Sequence, residues 1–561
     1  MSSFFKKISV LAANCLWLAV CMPGWALFLI ATRRVKSVQT ARLRRILRQN
    51  SKTEFGRRHR FDSLRTPEDY LSVPLTDYED YATAIGAIQT GHANVLTAEP
   101  VELLQPTSGS TTASKRIPYT RSLQSEFKEA IVPWIASLYL ARPSLLLGRH
   151  YWSISPNTEP VSRPEDTHSR VRVGFADDSE YLGTIQRLLT RLLFPVPSEI
   201  SQVRNPRSFE YLTLLFLCRE RDLRLISVWH PSFLTLLLKA LPTCFESLLR
   251  DIESGTISEA IELTPELHEK FKRCLAPDPK RAQKLRRINP AVRENIREIW
   301  PHLTLISCWT DGIAEPWRTQ LAETFPHTVI QSKGLTATEG IVSFPLGRIP
   351  GKVCAVRSHF LEFNDTETGR IQYAWNLEQG REYSIILTTG GGLYRYRLHD
   401  VVRVSGFYHQ VPCLDFLSRD NLVSDLVGEK LNARHVADCL NRLKQTMNLR
   451  LRFALLAPVL EGSEKASPGY VLYCQPEPGD SPDLPDLARR MEIEMSQNYH
   501  YQHARRLSQL TPLRIFLVTG EASELYRQHL MKRGMKAGDI KFQVLSTDLA
   551  WSVVFPGKFV A

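Results

Sequence analysis

The sequence predicts an α/β protein with a large N-terminal domain of helix-covered sheets, residues 1–420, and a smaller α+β domain, residues 421–561. Near Pro301, apolar segments of strand length alternate with one helical segment, in the order LTLISCW, AEPWRTQLAETF and HTVIQSKG. This alternation indicates a mostly parallel sheet covered by helices. Beyond Asp420 the elements become shorter, and SEKASPGYVLYCQPEPGDSPDLPDLARRM is typical of a small α+β unit. The 561 residues, 43% of them hydrophobic, suffice for more than one core.

An apolar segment without charge runs from Ile8 to Thr32, between a lysine pair and an arginine pair. Its length suits a membrane span or an uncleaved signal anchor. Pro23 and Gly24 divide it into two shorter pieces, which is equally typical of two buried core helices separated by a turn. Both interpretations stay open, so membrane association through residues 8–32 is the alternative to a cytoplasmic location.

The net charge of +13 raises the question of an anionic partner. The densest basic run is RRVKSVQTARLRRILRQN, Arg33 to Asn50, in which leucine and isoleucine recur at helical spacing. This spacing predicts a solvated helix with one buried face. No DNA- or RNA-binding motif accompanies the charge, so we expect no nucleic-acid partner.

Helices are predicted for most of the chain between residues 36 and 288. Thr66 and Thr76 precede segments with acidic residues in their first turns, so each is expected to be an N-cap. Long apolar helical stretches alternate with loops over residues 121–250, and the same pattern continues to Ile288.

Ten cysteines are dispersed without a CxxC pair, and several lie in apolar runs, as Cys218 does in LTLLFLCRE. Their placement predicts buried, reduced thiols and excludes a disulfide framework or a zinc site. A reducing cytoplasm fits this usage. His150, His230 and His302 also lie among apolar residues and are predicted to be core histidines. The run Arg149 to Trp152 is compatible with an acyl pocket and equally with simple packing.

The stretch LLQPTSGSTTASKRIPYT, Leu103 to Thr120, has the composition of a ligand-binding loop. Five hydroxyl side chains surround one glycine between Thr107 and Thr112, and Lys115 follows. Backbone amides and hydroxyls on such a loop can bind phosphate oxygens while a lysine supplies charge. It is not a Walker A loop, because no glycine immediately precedes the lysine and no serine or threonine follows it. A polar turn between two core segments would have the same composition.

Two later stretches carry matching chemistry. In QSKGLTATEG, after a predicted strand, Thr338 can offer a hydroxyl to a phosphate and Glu339 a carboxylate to Mg²⁺, although a surface or capping glutamate would look the same. The region Tyr383 to Phe407 predicts strand, glycine turn, strand, acidic turn and strand. Within it, TTGGGLYRYRLHD has three glycines that let a backbone pass close to a ligand. Asp400 suits ribose hydroxyls or, alternatively, an Asx turn.

The chain resembles the GH3 family of acyl-acid amido synthetases, which belong to the wider adenylate-forming enzymes. The motifs that carry the resemblance are TSGSTTASKRIPYT, LTATEG and GGLYRYRLHDVVRVSGF. Further similar segments are SKTEFGRRHRF, SCWTDG, AVRSHFLEF and SRDNLVSDLVGEKL. The resemblance spans residues 40–440 and extends more weakly over the remainder. Apolar helices are expected near the start of this family, which favours core packing for residues 8–32.

The resemblance implies ATP-dependent adenylation of a carboxylic acid, followed by acyl transfer to an amine, expected to be that of an amino acid. The products would be an amide and AMP. The implied cofactors are ATP and Mg²⁺, and the implied architecture is an adenylation domain followed by a mobile C-terminal domain. The expected partners are small carboxylic acid and amine substrates, and we expect a monomer.

It also implies a role for each motif residue. Phosphate contacts are implied for Thr107, Ser108, Gly109, Ser110 and Thr111. Lys115 would add positive charge, Thr338 would contact the nucleotide, and Glu339 would hold Mg²⁺ as a catalytic residue. Asp400 would bind the ribose hydroxyls. Lys430, in GEKL, would approach the α-phosphate as a catalytic residue when the mobile domain closes.

The chain departs from the family pattern at three positions. Thr112 and Ala113 stand where the family has glycines, and His399 stands where it has a glycine before the ribose aspartate. Because of these departures, the alternative that the chain is a catalytically weakened nucleotide- or acyl-binding homologue stays open. Transfer to a thiol such as coenzyme A also stays open, as does a membrane-anchored form acting on a lipid-like acid. The identity of the acid and of the acceptor does not follow from the motifs.

Overall fold

The computed structural model describes residues 3–106, 115–153, 171–173, 184–310, 315–419, 423–424, 426–427, 429, 431–459, 468–533, 535 and 540–560. The chain divides into two compact units. The first comprises Met1–Leu398 and Arg403–Asp415, and the second comprises His399–Val402 and Phe416–Ala561. The division at residue 420 into a nucleotide-binding and a mobile domain stays a prediction.

Helices make up much of the first unit. Its α-helices are α1 (Ser3–Ala31), α2 (Val35–Asn50), α3 (Glu54–Arg58), α4 (Pro67–Tyr70), α5 (Ala82–Gln89), α6 (Arg121–Ala141), α7 (Thr184–Leu193), α8 (Pro206–Arg219), α9 (Pro231–Ser254), α10 (Pro265–Cys274), α11 (Pro279–Leu285), α12 (Ile296–Ile299) and α13 (Glu315–Thr324). Short 3-10 helices cover Tyr78–Tyr81, Pro143–Leu147, Ser198–Gln202 and Arg293–Asn295.

The strands as far as residue 419 belong to three sheets. They are β1 (Leu103–Pro106), β2 (Arg116–Tyr119), β3 (Arg149–Trp152), β4 (Arg172–Val173), β5 (Leu223–Ser227), β6 (Leu305–Cys308), β7 (Val329–Ser332), β8 (Ser343–Pro345), β9 (Lys352–Cys354), β10 (Phe360–Asp365), β11 (Ile371–Tyr373), β12 (Glu382–Thr388), β13 (Tyr396–Tyr408) and β14 (Val411–Arg419). The strand orders are β2-β1-β4, β3-β5-β6-β7 and β11-β10-β12-β13-β14-β9-β8.

The sheet β3-β5-β6-β7 is parallel throughout. Its core includes Leu212 and Leu241 from the neighbouring helices and Ile226 and Ile306 from the strands. The predicted helix-covered parallel sheet is thereby confirmed. Strands β3 and β5 lie in the region 121–250, for which the sequence predicted helices and loops, so that prediction is wrong at these two strands. These strands have only 4 and 5 residues between long apolar helices, and periodicity does not separate such short runs from helical segments.

Strand β13 is continuous from Tyr396 to Tyr408, so the acidic turn predicted around Asp400 is wrong. Within this strand His399, the residue before Asp400, has a left-handed backbone with φ of 64°. A single left-handed residue can be accommodated as an irregularity inside a strand without reversing the chain. The glycine turn before β13 is present, with the Thr389 N–H bonded to the Leu393 carbonyl oxygen (2.9 Å).

One helix covers the apolar N-terminal segment, since α1 runs unbroken with Pro23 inside it. The interpretation as two helices separated by a turn is therefore wrong. Gly24 lies against α6, where a Cβ atom would come within 2.5 Å of the Val132 Cγ1 atom. Close packing of the two helices outweighs the low helix propensity of proline and glycine.

Two described helices are long and apolar enough to cross a membrane by length and composition alone. They are Lys7–Ala31 in α1 and Pro231–Ser254, which is α9. Both also supply buried side chains to the first unit, for example Trp17 from α1 and Leu241 from α9.

Buried polar contacts attach α1 to the rest of the first unit. The Asn14 amide nitrogen donates to the carbonyl oxygens of Leu146 (3.0 Å) and Gly148 (2.9 Å). The Tyr139 hydroxyl donates to the Asn14 side-chain oxygen (2.8 Å). His150 continues this group, since its Nδ1 lies 3.4 Å from the Tyr139 hydroxyl oxygen. Asn14 is fully buried, so one face of α1 is part of the core.

The free energy of unfolding of the first unit is expected to fall by about 3 kcal/mol between pH 7 and pH 4 because of His150. Burial lowers the pKa of His150 from 6.5 to about 4. Below pH 6.5 the unfolded chain therefore binds a proton that the folded unit still excludes. The stabilisation is complete above pH 6.5 and is lost as the pH falls toward 4.

Urea unfolding followed by tryptophan fluorescence at several pH values measures this loss. The variant His150→Gln removes the titrating ring, so its stability should decline less steeply by the same amount. Equal slopes for the variant and the unchanged chain would contradict the assignment to His150.

The basic helix α2 has the predicted single buried face, formed by Val35, Gln39, Leu43, Ile46 and Leu47. Thr66 is the predicted N-cap of α4 and forms a capping box with Asp69. Thr76 is not an N-cap, so that prediction is wrong. Its backbone instead bridges Tyr396, and Asp77 precedes the 3-10 helix.

His150 and His230 are buried, as predicted. The prediction for His302 is wrong, because its side chain is 38% exposed and lies 3.6 Å from Asp222 Oδ1. His302 lies in a turn whose apolar neighbours Trp300 and Leu303 occupy the core. Apolar neighbours in sequence do not fix the direction of a side chain in a turn.

The second unit is built around a mixed sheet with the order β17-β18-β19-β20. Its elements are β15 (Val423–Ser424), β16 (Leu431–Asn432), α14 (Ala433–Thr446), β17 (Leu451–Val459), β18 (Gly469–Pro476), α15 (Leu484–Met495), α16 (Tyr499–Arg506), β19 (Arg514–Val518), α17 (Ala522–Lys532), α18 (Trp551–Val554) and β20 (Gly557–Phe559). Leu440 and Met491 from the helices pack with Leu472 from the sheet. The predicted small α+β unit is confirmed.

All ten cysteines are free thiols. The buried ones are Cys21, Cys218, Cys308, Cys354, Cys413, Cys439 and Cys474. Burial raises the pKa of Cys21 and of Cys218 to about 12, so both remain protonated thiols at neutral pH. The prediction of buried, reduced cysteines holds for these residues, whereas Cys15 and Cys274 are exposed.

Candidate active site

Thr338 and Glu339 lie in a tight turn beyond β7, the last strand of the parallel sheet. Ala337 and Gly340 exchange backbone hydrogen bonds across this turn (3.0 and 3.2 Å). Gly340 permits a close approach to His359, since a Cβ atom would lie 2.7 Å from the His359 Nε2 atom. Ligands of α/β sheets bind beyond the carboxyl ends of the strands, which is where this turn is found.

The Glu339 carboxylate is buried among tyrosine side chains. The Tyr396 hydroxyl donates to its Oε1 atom at 3.4 Å. Burial raises the pKa of Tyr78, and the charges of Glu79 and then Glu339 raise it further. Glu339 is only 8% exposed, so the alternative of a surface residue is wrong. A carboxylate in such a place costs free energy unless donors or cations surround it, which is typical of a functional group.

Lys115 lies against the same tyrosine. Its Nζ atom is 5.4 Å from the centre of the Tyr78 ring, a distance at which a cation is attracted to the ring face. The Arg116 N–H donates to the Tyr78 hydroxyl at 2.7 Å. The structure thus places the cation of the first predicted motif against Tyr78, and the Glu339 charge contributes to the raised pKa of the same tyrosine.

Strands β1 and β2 bring together the two ends of the loop rich in serine and threonine, with Pro106 opposite Arg116. Tyr119, at the end of β2, donates its hydroxyl hydrogen to the Thr338 carbonyl oxygen at 2.6 Å. The hairpin from which the loop extends is therefore bonded to the turn that carries Glu339. The loop positions predicted from the sequence lie outside the described residues: Thr107, Ser108, Gly109, Ser110, Thr111, Thr112 and Ala113.

A second cation lies at the carboxyl edge of the parallel sheet. Lys333 directly follows β7, and its Nζ atom is 4.4 Å from the centre of the Trp229 ring. Trp229 follows β5, is 42% exposed, and accepts a hydrogen bond from the Trp309 N–H at its carbonyl oxygen (2.8 Å). Sequence reasoning passed over Lys333, although it stands in the QSKG part of a motif.

The side chains of the run Arg149 to Trp152 pack against other parts of the first unit. His150 and Tyr151 are buried, and the Trp152 ring stacks on Trp134 with 5.9 Å between ring centres. Trp134 in turn directs its ring N–H toward the Gln331 side-chain oxygen at 3.5 Å. Of the two interpretations left open by the sequence, packing fits these contacts.

Asp400 is buried within β13, four residues after Tyr396, and belongs to the second unit. A position inside a strand does not fit the Asx turn considered from the sequence. The φ of 64° at His399 lies in the left-handed region, which glycine occupies without strain and histidine does not.

Lys430 lies outside the described residues, but its neighbour Glu429 is fully buried in the second unit. The Glu429 carboxylate accepts hydrogen bonds from the N–H groups of Leu426 (2.8 Å) and Val427 (2.8 Å). The Tyr470 hydroxyl also donates to it. These contacts hold the backbone immediately before Lys430.

The glycines of the TTGGG turn pack against the chain itself. A Cβ atom at Gly390 would lie 2.7 Å from the Ser122 Cβ atom, and one at Gly391 would lie 2.7 Å from the Pro118 carbonyl oxygen. The sequence suggested that these glycines admit a ligand. In the structure their lack of side chains instead allows strand β2 and the start of helix α6 to pack against the turn.

The buried carboxylate of Glu126, in α6, connects the glycine turn with the turn that follows Glu339. Its two oxygens accept from the Gly390 N–H at 3.0 and 2.9 Å, and Oε2 lies 2.8 Å from His359 Nδ1. The His359 Nε2 atom accepts from the Ile341 N–H at 3.0 Å. Because Nε2 accepts, the proton belongs on Nδ1, which donates it to Glu126.

Sequence reasoning missed the side chains that position the predicted residues. Tyr119 and Tyr396 stand inside the IPYT and LYRY parts of the motifs, so an aromatic hydroxyl at a motif end was the available signal. Tyr78 and Glu126 carried no signal, because they lie in ordinary helical stretches and reach the site only through folding.

The residues present fit a magnesium ion bound mainly through phosphates. Mg²⁺ is typically held by one or two carboxylates together with substrate phosphate oxygens and water. Glu339 supplies one buried carboxylate in this turn. Within the described ranges, no cluster of three or more His, Cys, Asp or Glu side chains is suited to hold a metal ion.

Models of three protein-family domains match the chain in succession. The GH3 family N-terminal domain matches residues 26–330, the GH3 family central domain residues 353–419, and the GH3 family C-terminal domain residues 434–550. The three matches together cover most of the sequence. The hydroxyl-rich loop lies in the first of them and strand β13 in the second, while the turn with Glu339 lies between these two.

Individual proteins of this family are similar to the chain over most of its length, at low sequence identity. Indole-3-acetic acid-amido synthetase GH3.4 of Arabidopsis thaliana is 24% identical over 554 residues, 91% of this chain and 89% of that one. Jasmonoyl--L-amino acid synthetase JAR6 of Nicotiana attenuata is 23% identical over 429 residues, 71% of this chain and 72% of that one. The solved structure of AtGH3.15 acyl acid amido synthetase in complex with 2,4-DB superposes with a TM-score of 0.79 and 19% identity, covering 96% of this chain and 95% of that one. The last similarity shows a shared fold.

Proposed function

The chain belongs to the GH3 family, and on this premise we propose that it is an ATP-dependent ligase that adenylates a carboxylic acid and transfers the acyl group to an amine. One observation carries the proposal. Lys115 lies against the Tyr78 ring, and Tyr119, four residues after Lys115, donates a hydrogen bond to the backbone of the turn that carries Glu339. A cation, a carboxylate and the ends of a hydroxyl-rich loop are the groups that binding of a nucleoside triphosphate requires.

The first step joins two anions. An oxygen of the substrate carboxylate attacks the α-phosphorus of ATP, the bond to the bridging oxygen breaks, and pyrophosphate leaves with that electron pair. Positive charge must be placed where negative charge accumulates, because repulsion otherwise dominates. Lys115 supplies such charge at the end of the phosphate loop, and Lys333 supplies a second cation at the carboxyl edge of the sheet.

The second step consumes the acyl-adenylate. The amine nitrogen attacks the carbonyl carbon, the bond to the phosphate oxygen breaks, and AMP leaves while the nitrogen releases a proton. We propose an amino acid as the acceptor, because GH3.4 is named an indole-3-acetic acid-amido synthetase and JAR6 a jasmonoyl--L-amino acid synthetase. The same names do not favour a thiol such as coenzyme A.

We assign the remaining roles by matching each residue of this chain to the corresponding position of the GH3 family motifs. The loop residues Thr107, Ser108, Gly109, Ser110 and Thr111 would contact phosphates. Thr338 would contact the nucleotide, Asp400 would bind the ribose hydroxyls, and Lys430 would act at the α-phosphate when the C-terminal domain closes. Glu339 would hold Mg²⁺, which neutralises phosphate charge when bound. The alternative is a homologue that binds the nucleotide more weakly. It is suggested by Thr112, Ala113 and His399, which stand where the family has glycines.

We propose that the ligase acts in the cytoplasm as a monomer on small acid and amine substrates. The free, mostly buried thiols support a reducing compartment. Such a compartment is compatible with a freely diffusing enzyme and equally with one attached to the cytoplasmic side of a membrane.

Acid-dependent exchange of labelled pyrophosphate into ATP tests the adenylation step. We expect exchange with Mg²⁺ and at least one member of a panel of aromatic, alicyclic and fatty acids, and none when acid or metal is omitted. ATP binding without exchange across the whole panel would instead identify a catalytically weakened homologue. Mass spectrometry of reactions containing amino acids or coenzyme A then separates amide from thioester products.

A further inference from the structure

Helix α1 exposes an apolar face along almost its whole length. The large exposed side chains on it are Phe5, Ile8, Leu11, Leu16, Met22, Leu27 and Ile30, which are between 37% and 60% exposed. Smaller exposed residues fill the intervals: Ala12, Cys15, Ala19, Pro23 and Ala26. Steps of three and four residues place all of them on one side of a helix. The face extends for about 38 Å at 1.5 Å per residue.

The opposite face of α1 is held in the first unit. Asn14, Trp17 and Cys21 are buried there, and Asn14 bonds to two backbone carbonyl oxygens. At the C-terminal end, the Thr32 hydroxyl lies 2.8 Å from His409 Nδ1, and the Phe28 and Phe344 rings are 5.1 Å apart. A helix fixed in this way lies along the surface of the unit, so its exposed face is presented lengthwise.

All charged residues among the first 53 of the chain are basic. The first acidic residue of the chain is Glu54, and ten lysines and arginines precede it: Lys6, Lys7, Arg33, Arg34, Lys36, Arg42, Arg44, Arg45, Arg48 and Lys52. Lys7 pairs with Asp222 at 3.5 Å. Arg33, Arg34 and Lys36, which directly follow the apolar face, are exposed.

We propose that this apolar face of α1 binds the surface of a membrane containing anionic lipids, with the helix axis parallel to the bilayer. A helix with one apolar face and flanking lysines and arginines enters the boundary between headgroups and acyl chains. The exposed cations that follow it attract anionic headgroups. Leu188 and Leu192, exposed on α7, add apolar surface to an element that contacts α1.

Two other occupants of this face fit the observations less well. A second copy whose α1 ran parallel to this one would bring Arg33, Arg34 and Lys36 near their own counterparts. A copy running antiparallel would bring them near Lys7, so like charges disfavour both symmetric interfaces. A membrane span would require α1 to leave its buried contacts, among them the hydrogen bonds of Asn14. The proposal does not depend on the ligase activity.

Flotation of the full chain with vesicles tests this proposal. Vesicles of phosphatidylcholine with about one third phosphatidylserine should bind the protein on the order of 100-fold more tightly than pure phosphatidylcholine. Binding should weaken at about 1 M salt. The double variant Leu16→Glu with Leu27→Glu should bind at least about tenfold more weakly, because both leucines are exposed on the apolar face.

Matched variants separate attachment from misfolding. Ile493→Glu, at an equally exposed leucine-sized position in the second unit, should bind vesicles like the unchanged chain. Arg33→Ser with Arg34→Ser should lose the preference for anionic vesicles while α1 keeps its packing. Tryptophan fluorescence and the thermal unfolding temperature should stay unchanged in each variant that is scored.

Several outcomes would overturn the proposal. Absence of binding to anionic vesicles would do so, and so would binding that Leu16→Glu with Leu27→Glu leaves unchanged in a folded protein. A dimer that dissociates in that double variant, without vesicle binding, would identify a second copy as the occupant. Extraction from cell membranes by detergent alone, with resistance to alkaline carbonate, would identify a span.

Discussion

Replacing Glu339 by glutamine is expected to lower the rate of acid-dependent pyrophosphate exchange on the order of 10²–10³-fold. The proposed role of this carboxylate is to hold Mg²⁺ beside the phosphates, and an amide of the same shape lacks the charge. Glutamine keeps an oxygen that can accept from the Tyr396 hydroxyl, so the turn should keep its conformation. Exchange measured at saturating ATP, with a Mg²⁺ titration, checks the expectation.

Two further variants control this experiment. Tyr396→Phe removes only the hydroxyl that positions Glu339, so a smaller loss of about 10–100-fold is expected. Glu298→Gln, an exposed glutamate in α12, should leave exchange unchanged. Normal exchange by Glu339→Gln at low Mg²⁺ would show that the metal is held elsewhere.

Replacing Glu126 by alanine is expected to lower the free energy of unfolding of the first unit by about 3–5 kcal/mol. The carboxylate is 1% exposed and accepts from the Gly390 N–H and from His359. Arg42 also lies 3.9 Å from it. Alanine would leave these buried groups without their acceptor, and a buried polar group without a partner retains its full desolvation cost.

Urea unfolding followed by tryptophan fluorescence measures this loss, because nine of the ten tryptophans precede residue 416 and only Trp551 belongs to the second unit. Glu129→Ala is the matched control on the same helix. Glu129 pairs with Arg42 (2.6 Å) and Arg357 (3.5 Å), but its side chain is 21% exposed and can be partly rehydrated, so a smaller loss of about 1–2 kcal/mol is expected. Equal losses for the two variants would refute the central position assigned to Glu126.

The three motifs were readable from the sequence because each keeps its chemistry within a few consecutive residues. A loop rich in hydroxyls with Lys115, a turn with Glu339, and a strand with Asp400 retain their composition whatever surrounds them. The same holds for long amphipathic elements such as α2, whose buried face follows from its spacing. Family membership rests on these local patterns and is confirmed by the three domain matches.

Errors occurred where packing between distant segments decided the conformation. Pro23 and Gly24 predict a break, yet α1 continues because Gly24 fits closely against Val132. Thr76 has the composition of a cap, yet its backbone pairs with Tyr396. Asp400 has the composition of a turn, yet it lies within a strand. Local propensity in each case amounts to about 1–3 kcal/mol, which tertiary contacts readily exceed.

The sequence by itself determined the family, the succession of β6, α13 and β7 in the parallel sheet, and which motifs carry cations and carboxylates. Only the tertiary structure decided that Lys115 lies against Tyr78 and Glu339 against Tyr396, that Glu126 joins two motifs through His359, and that one face of α1 stays exposed. The physical reason is that composition and periodicity act over one or two turns of chain. A buried hydrogen bond between residues more than 200 positions apart, such as that of Glu126 with Gly390, exists only after the chain has folded.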